Sequence, residues 1–222
     1  MVEANVKATL NQSRKIPVKP LLSISGEIEL EVRDKNGKLI HFHKEPAKCF
    51  VANFAHWLRA FFGNSVGNVV SDEPVVDTDG VDQAILHDVT MRPDHFGGCC
   101  APIGNSTYGL VVGGGSTPPT PDDYKLGAQY VEGTEINQFT HGATTVEAVS
   151  TTTTQSVFRV VRTFTNNYTA SQTVYEVGIY MAIEGQAGTW IYICIARDVL
   201  ATPTTVPAGS TLTVRYVLTF TV

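Results

Sequence analysis

The sequence predicts a mainly β protein: an antiparallel β-sandwich of jelly-roll-like form, with one amphipathic helix near the N-terminus and an extended N-terminal arm. Three observations carry that prediction. Gly26–Arg33 alternates polar and apolar residues with period two and runs into Asn36-Gly37, a dipeptide suited to the positive φ of a tight hairpin turn. Beyond residue 105, short Thr- and Val-rich runs recur between Gly, Pro and Asn punctuation, as in sandwiches and jelly rolls rather than β-α units. Charged residues make up only 17% of the 222 residues while hydrophobic ones reach 43%, which excludes disorder and coiled coil.

Taken in order, residues 1–22 carry Lys7, Arg14, Lys15 and Lys19 against Glu3, a local charge of +3 in a chain whose net charge is −5. Pro17 and Pro20 favour an extended path there, so this segment reads as an arm ahead of a single domain spanning 23–222. Leu39–His43 is expected to return antiparallel to the first strand. Phe50, Phe54, Trp57, Leu58 and Phe61 then recur at helical spacing, predicting a helix at about 47–62 that ends near Gly63. Residues 64–105 read as a loop-rich insertion with a short strand at Ala84–Val89. Strands are expected at Tyr108–Val112, Thr144–Val149, Ser156–Thr165, Thr173–Ile183, Thr189–Ala196 and Ser210–Val222, with turns at Asn166-Asn167, Glu184–Gln186 and Pro203–Gly209.

Only 13 of the 37 charged residues lie after residue 100. Such sparse charge suits sheet faces that pack on other subunits, and equally two sheets packed on each other. The acidic balance argues against bulk attraction to nucleic acid or anionic membrane. The opening Met1–Asn5 lacks the basic start of a secretory leader, and Phe50–Phe62 is too short and too polar to span a bilayer. Cys49, Cys99, Cys100 and Cys194 form no scaffold spacing and read as free thiols.

Several constellations invite a chemical reading. Gly113-Gly114-Gly115-Ser116 follows a strand, but Thr117–Pro121 comes next where a phosphate loop needs a helix and Lys-Ser/Thr, so it reads as a connector. His87-Asp88, Asp94-His95 and Cys99-Cys100 offer zinc-type ligands without a usual spacing, and His41-x-His43 puts two imidazoles on one strand face. Asp77-x-Asp79-Gly80-x-Asp82 spaces oxygen ligands as a calcium loop does, yet lacks the closing Glu and reads as a turn. No Gly-x-Ser-x-Gly elbow or His-Glu-x-x-His pattern is present. Tyr108, Tyr124, Tyr130 and Tyr168 are candidates for stacking on carbohydrate or for interface contact. Glu176 is expected to pair with Arg162 or Arg197 from a neighbouring strand, fixing register, while Arg197-Asp198 could instead be a turn-side pair.

Gly109–Gly115, Pro121-x-x-Tyr124-x-Leu126, Arg162–Asn166, Val174-x-Glu176–Tyr180, Ala196–Val199 and Gly209-Ser210-x-Leu212-x-Val214-x-Tyr216 together resemble a poorly characterised family of tailed-bacteriophage and prophage virion structural proteins. The N-terminal strand, hairpin and helix are also similar, so the resemblance covers most of 24–222. It implies a non-enzymatic virion component with a β-sandwich core (capsid, decoration or tail), made in the host cytoplasm and found in the virion. Its partners would be copies of itself and other virion proteins, with no cofactor, small-molecule substrate, specific nucleic acid or membrane. The arm residues Lys7, Arg14, Lys15, Pro17, Lys19 and Pro20 would reach a neighbour. The alternative is a host-surface carbohydrate-binding module that uses the tyrosines and the Gly/Pro loops.

Overall fold

Strand β1 (Ser23–Arg33) and β2 (Leu39–Ala47) form the expected hairpin. Gly37 takes φ of 80° at the turn, and Asp34 accepts the amides of Asn36 and Lys38. This is a computed structural model, and it describes residues 23–63, 74–85, 98–185 and 189–221; the side chains of 61–63 and 74 are excepted. The arm residues Lys7, Arg14, Lys15, Pro17, Lys19 and Pro20 lie outside the described residues, as do His87, Asp88, Asp94 and His95.

Helix α1 (Ala52–Gly63) starts five residues later than the aromatic spacing predicted. The reason is an interaction distant in sequence. Residues 48–51 run beside the late strand β12 (Trp190–Val206), where Val51 donates to the Ile195 carbonyl and Arg197 to that of Cys49. Phe50, Phe54 and Trp57 still form one aromatic face, which packs on the core.

The short hairpin β3 (Pro74–Val76) and β4 (Asp82–Ala84) follows, and the predicted strand continuing to Val89 runs beyond the described residues. Then come β5 (Gly109–Gly113), β6 (Val131–Glu132) and β7 (Gln138–His141), with β6 and β7 paired in parallel. The predicted Thr144–Val149 strand shrinks to β8 (Thr145–Val146), beside β9 (Ser150–Thr151). The long strands are β10 (Gln155–Thr165), β11 (Gln172–Glu184), β12 and β13 (Thr211–Thr221).

The larger sheet has the order β2-β1-β13-β10-β7-β6, with β8 and β9 on β10, and the smaller is β12-β11-β5. β10 pairs with β13 in one sheet and β11 with β12 in the other, both antiparallel. That is a long double hairpin folded over on itself, the arrangement from which a jelly roll is wound. Its core lies between the sheets. Ile28, Leu30, Val32, Leu212, Val214 and Phe164 from the larger sheet meet Leu110, Val112, Val177, Ile179 and Ile193 from the smaller.

A second, smaller cluster of Val51, Val111, Leu126, Tyr180 and Cys194 covers the opposite face of the smaller sheet. β5 is consequently buried at all five residues. Burial on both faces accounts for much of the scarce charge after residue 100. The outer face of the larger sheet is different. There Lys44 pairs with Glu27 and Glu29, Glu31 with Arg33 and Arg215, and Glu147 with Arg159.

The turn expected at Pro203–Gly209 is shorter than its composition suggests, because β12 continues to Val206. Leu200–Pro203 bulge opposite Tyr175 alone, since Val174 faces Thr204 and Glu176 faces Val199. Glu45 of β2 accepts the freed amides of Ala201 and Thr202. A proline is tolerated there because β12 ends the sheet and Pro203 stands in a bulge.

Candidate functional site

Glu176 lies on the face of β11 turned away from the sandwich core, in line with Gly178 and Tyr180. It is fully buried beneath the Gly- and Pro-rich connector of residues 114–128. One carboxylate oxygen accepts the amides of Gly115 and Ala128 at 3.0 and 2.8 Å. The other accepts the Gly127 amide at 3.0 Å and Nε of Arg197 at 2.9 Å. Arg197 also donates to Asp123 at 2.6 Å and to the Thr117 carbonyl at 3.0 Å. A buried carboxylate with three amide donors and a hydrogen-bonded cation is stable where an unpaired one would not be.

Glycine is required at the top of this clamp. A Cβ on Gly113 would stand 2.5 Å from the Ala128 carbonyl and 2.7 Å from Glu176 Oε1. The triple glycine thus lets backbone approach a carboxylate of its own chain.

Arg162, the other expected partner of Glu176, is elsewhere. Cross-strand register places it in a row with Leu30 and Val214, facing inward from the larger sheet. The smaller sheet therefore separates it from Glu176. Its guanidinium donates to the carbonyls of Gly142, Tyr108, Leu110 and Asn105. Burial lowers its pKa to about 10, with Glu132 opposing the shift. Arg197 and Asp198 do not form a turn-side pair either. They sit mid-strand with side chains on opposite faces, and Asp198 accepts the Tyr216 hydroxyl at 3.0 Å and the amides of Lys48 and Cys49. Burial pushes the Asp198 carboxyl above its usual range against those bonds.

The clamp fixes Pro121–Tyr124, and these residues form one wall of a cleft of about 210 Å³. Ala52, Asn53 and His56 from the first turns of α1 form a second wall, and Val76 and Asp82 of the β3–β4 hairpin a third. The three walls are cross-tied. Ala52 donates to the Pro121 carbonyl at 2.8 Å, and the Asn53 amide both donates to and accepts from the Val76 backbone. Asp123 is consumed by Thr120 and Arg197. Burial works against its charge, but those donors hold its carboxyl below the usual range. The side-chain carboxylates of Asp82 and Asp122 make no hydrogen bond or ion pair among the described residues, although the Asp82 backbone pairs with Val76 in the β3–β4 hairpin. Tyr124 lies against the Gly80 turn, whose added Cβ would meet the ring at 3.3 Å, and Lys125 Nζ stands 5.3 Å from the ring centre.

The remaining candidates are structural. Asp77 accepts the amides of Asp79 and Val81 and the side chain of Gln83, closing the β3–β4 turn. His41 and His43 stand 6.5 Å apart on the inward face of β2, where His43 bonds Glu45. Cys99 packs on the core, and burial raises its thiol pKa to about 11, while Cys100 is exposed. Among the described residues no group of three His, Cys, Asp or Glu side chains could hold a metal ion. Tyr130 is buried with its hydroxyl on the Thr173 carbonyl, and Tyr108 stacks on Tyr192.

Sequence reasoning passed over Asp123, Glu45 and His141, and it did not join Asp198 to Tyr216. Only Asp123 had a local signal, the Thr120-x-x-Asp123 spacing that closes its turn. No protein-family profile, curated protein or solved structure matches the chain.

Proposed function

We propose that this chain is a non-enzymatic structural subunit of a virus particle, a capsid, decoration or tail component, that packs against copies of itself and other particle proteins. The carrying observation is the free edge of the larger sheet. Among the described residues β2 pairs only with β1, and Leu39, Ile40 and Phe42 along it are 46%, 45% and 47% exposed. An edge strand that exposes both apolar side chains and unpaired backbone groups is a template for another chain. The resemblance of the strand and turn motifs to virion proteins supports the same reading, as does the basic segment at 1–22.

The test is solution mass by light scattering on the full chain, its Phe42→Asp variant and a version lacking residues 2–22. The intact chain is expected to form discrete species above 24.0 kDa, with both changes shifting it toward monomer while its fold persists. A strictly monomeric intact chain, even mixed with its partner subunits, would refute the proposal.

A further inference from the structure

We infer that the cleft between α1, the β3–β4 hairpin and the 121–124 connector is a binding site for a neutral saccharide, the size of one or two sugar rings. It is concave, and its walls are built before any ligand arrives: Asn53 is locked to Val76, Ala52 to Pro121, and Asp123 to Arg197. Such preorganisation lowers the ordering cost of binding a small, hydroxyl-rich molecule.

The lining supplies the two kinds of contact a sugar needs. Asp82 and Asp122 bring exposed carboxylates that accept from hydroxyls, and each has two oxygens to span a vicinal diol. Pro121, Val76 and the half-buried Tyr124 ring supply apolar surface for the C–H faces. At about 210 Å³ the space is below the range typical of drug-sized ligands, which suits a terminal sugar rather than a nucleotide or cofactor. The carboxylates repel phosphate, sulfate and acidic sugars. A divalent cation is disfavoured because no three-ligand group could hold one among the described residues. The inference is independent of the assembly reading, since a particle subunit and a solitary domain could both carry this site.

The experiment is saturation-transfer NMR on the full chain with methyl glycosides of glucose, galactose and mannose, with N-acetylglucosamine, and with spermidine and a Lys/Arg-rich peptide as cationic comparators. At least one neutral sugar is expected to bind with Kd near or below about 1 mM. Asp122→Asn and Tyr124→Ala should each weaken it at least about tenfold, while Val149→Ser on exposed surface leaves it unchanged. Circular dichroism of each variant confirms that the fold persists, and Asp82→Asn replaces any variant that fails this check. No transfer to any neutral sugar would overturn the inference, as would binding indifferent to these substitutions, or binding of the cations alone.

Discussion

His141 is completely buried on β7, its ring edge-on to Phe164 at 5.1 Å between centroids. Among the described residues neither ring nitrogen has a hydrogen-bond partner, although the carbonyls of Asn105 and Tyr130 lie nearby. Burial is the main cause that lowers its pKa to about 4, and the Arg162 charge adds to it. Glu132 is the acidic group at hand, and one of its oxygens accepts the His141 backbone amide at 2.7 Å. The folded protein therefore prefers the neutral ring, whereas the unfolded chain protonates near the ordinary value of 6.5. Because the unfolded state binds the extra proton, stability is full above pH 6.5 and falls as pH drops from 6.5 toward 4. A displacement of that size corresponds to about 3 kcal/mol.

The perturbation is His141→Phe, which removes the titration and keeps an aromatic ring. Urea unfolding from pH 7.5 to pH 4 should show the difference in stability between wild type and variant shifting by about 3 kcal/mol in the variant's favour. At a urea slope of about 3 kcal/mol/M, that moves the midpoint difference by about 1 M. Any fixed packing cost of the larger ring, and the titration of carboxylates common to both chains, cancel in the pH dependence of the difference. A difference that stays flat over this range would show that the site accepts the imidazolium, and would refute the reasoning.

Other substitutions probe the clamp and the core. Glu176→Gln leaves the Arg197 guanidinium short of its buried partner and should cost about 3–5 kcal/mol, lowering the calorimetric Tm by roughly 10 °C. A drop under about 2 °C would mean that Asp123 alone suffices. Gly113→Ala should leave the sheets folded but loosen the connector, so limited proteolysis should begin within residues 114–128; resistance there equal to wild type would contradict the close approach. Tyr216→Phe leaves Asp198 one donor short in a buried site and should cost about 1–2 kcal/mol by denaturant titration.

Local pattern made much of this architecture legible. The β1–β2 hairpin follows from alternation and an Asn-Gly turn, both contained within about twenty residues, and β10, β11 and β13 follow from their punctuation. What escaped depends on partners far along the chain. Residues 48–51 look helical until they meet β12 near Ala196, so α1 begins late. Pro203 looks like a turn until Glu45, 156 residues before Ala201, receives the bulge amides. Glu176 had two possible arginines because sequence does not say which sheet a strand joins. The two sheets separated Arg162 from Arg197, and neither the cleft nor the lone His141 has a local sequence signature.

The order of strands in the larger sheet also dictates a timetable. β13, the last of the described strands, stands between β1 and β10 and pairs with both along their full lengths. On a ribosome, β1 and β10 are therefore synthesised long before the strand that joins them has emerged. Until residues 211–221 are free, each presents an open edge to whatever surrounds the nascent chain. The central strand of the sheet is thus the final stitch, and a nascent chain stalled just before it would be among the most adhesive species this gene product ever presents.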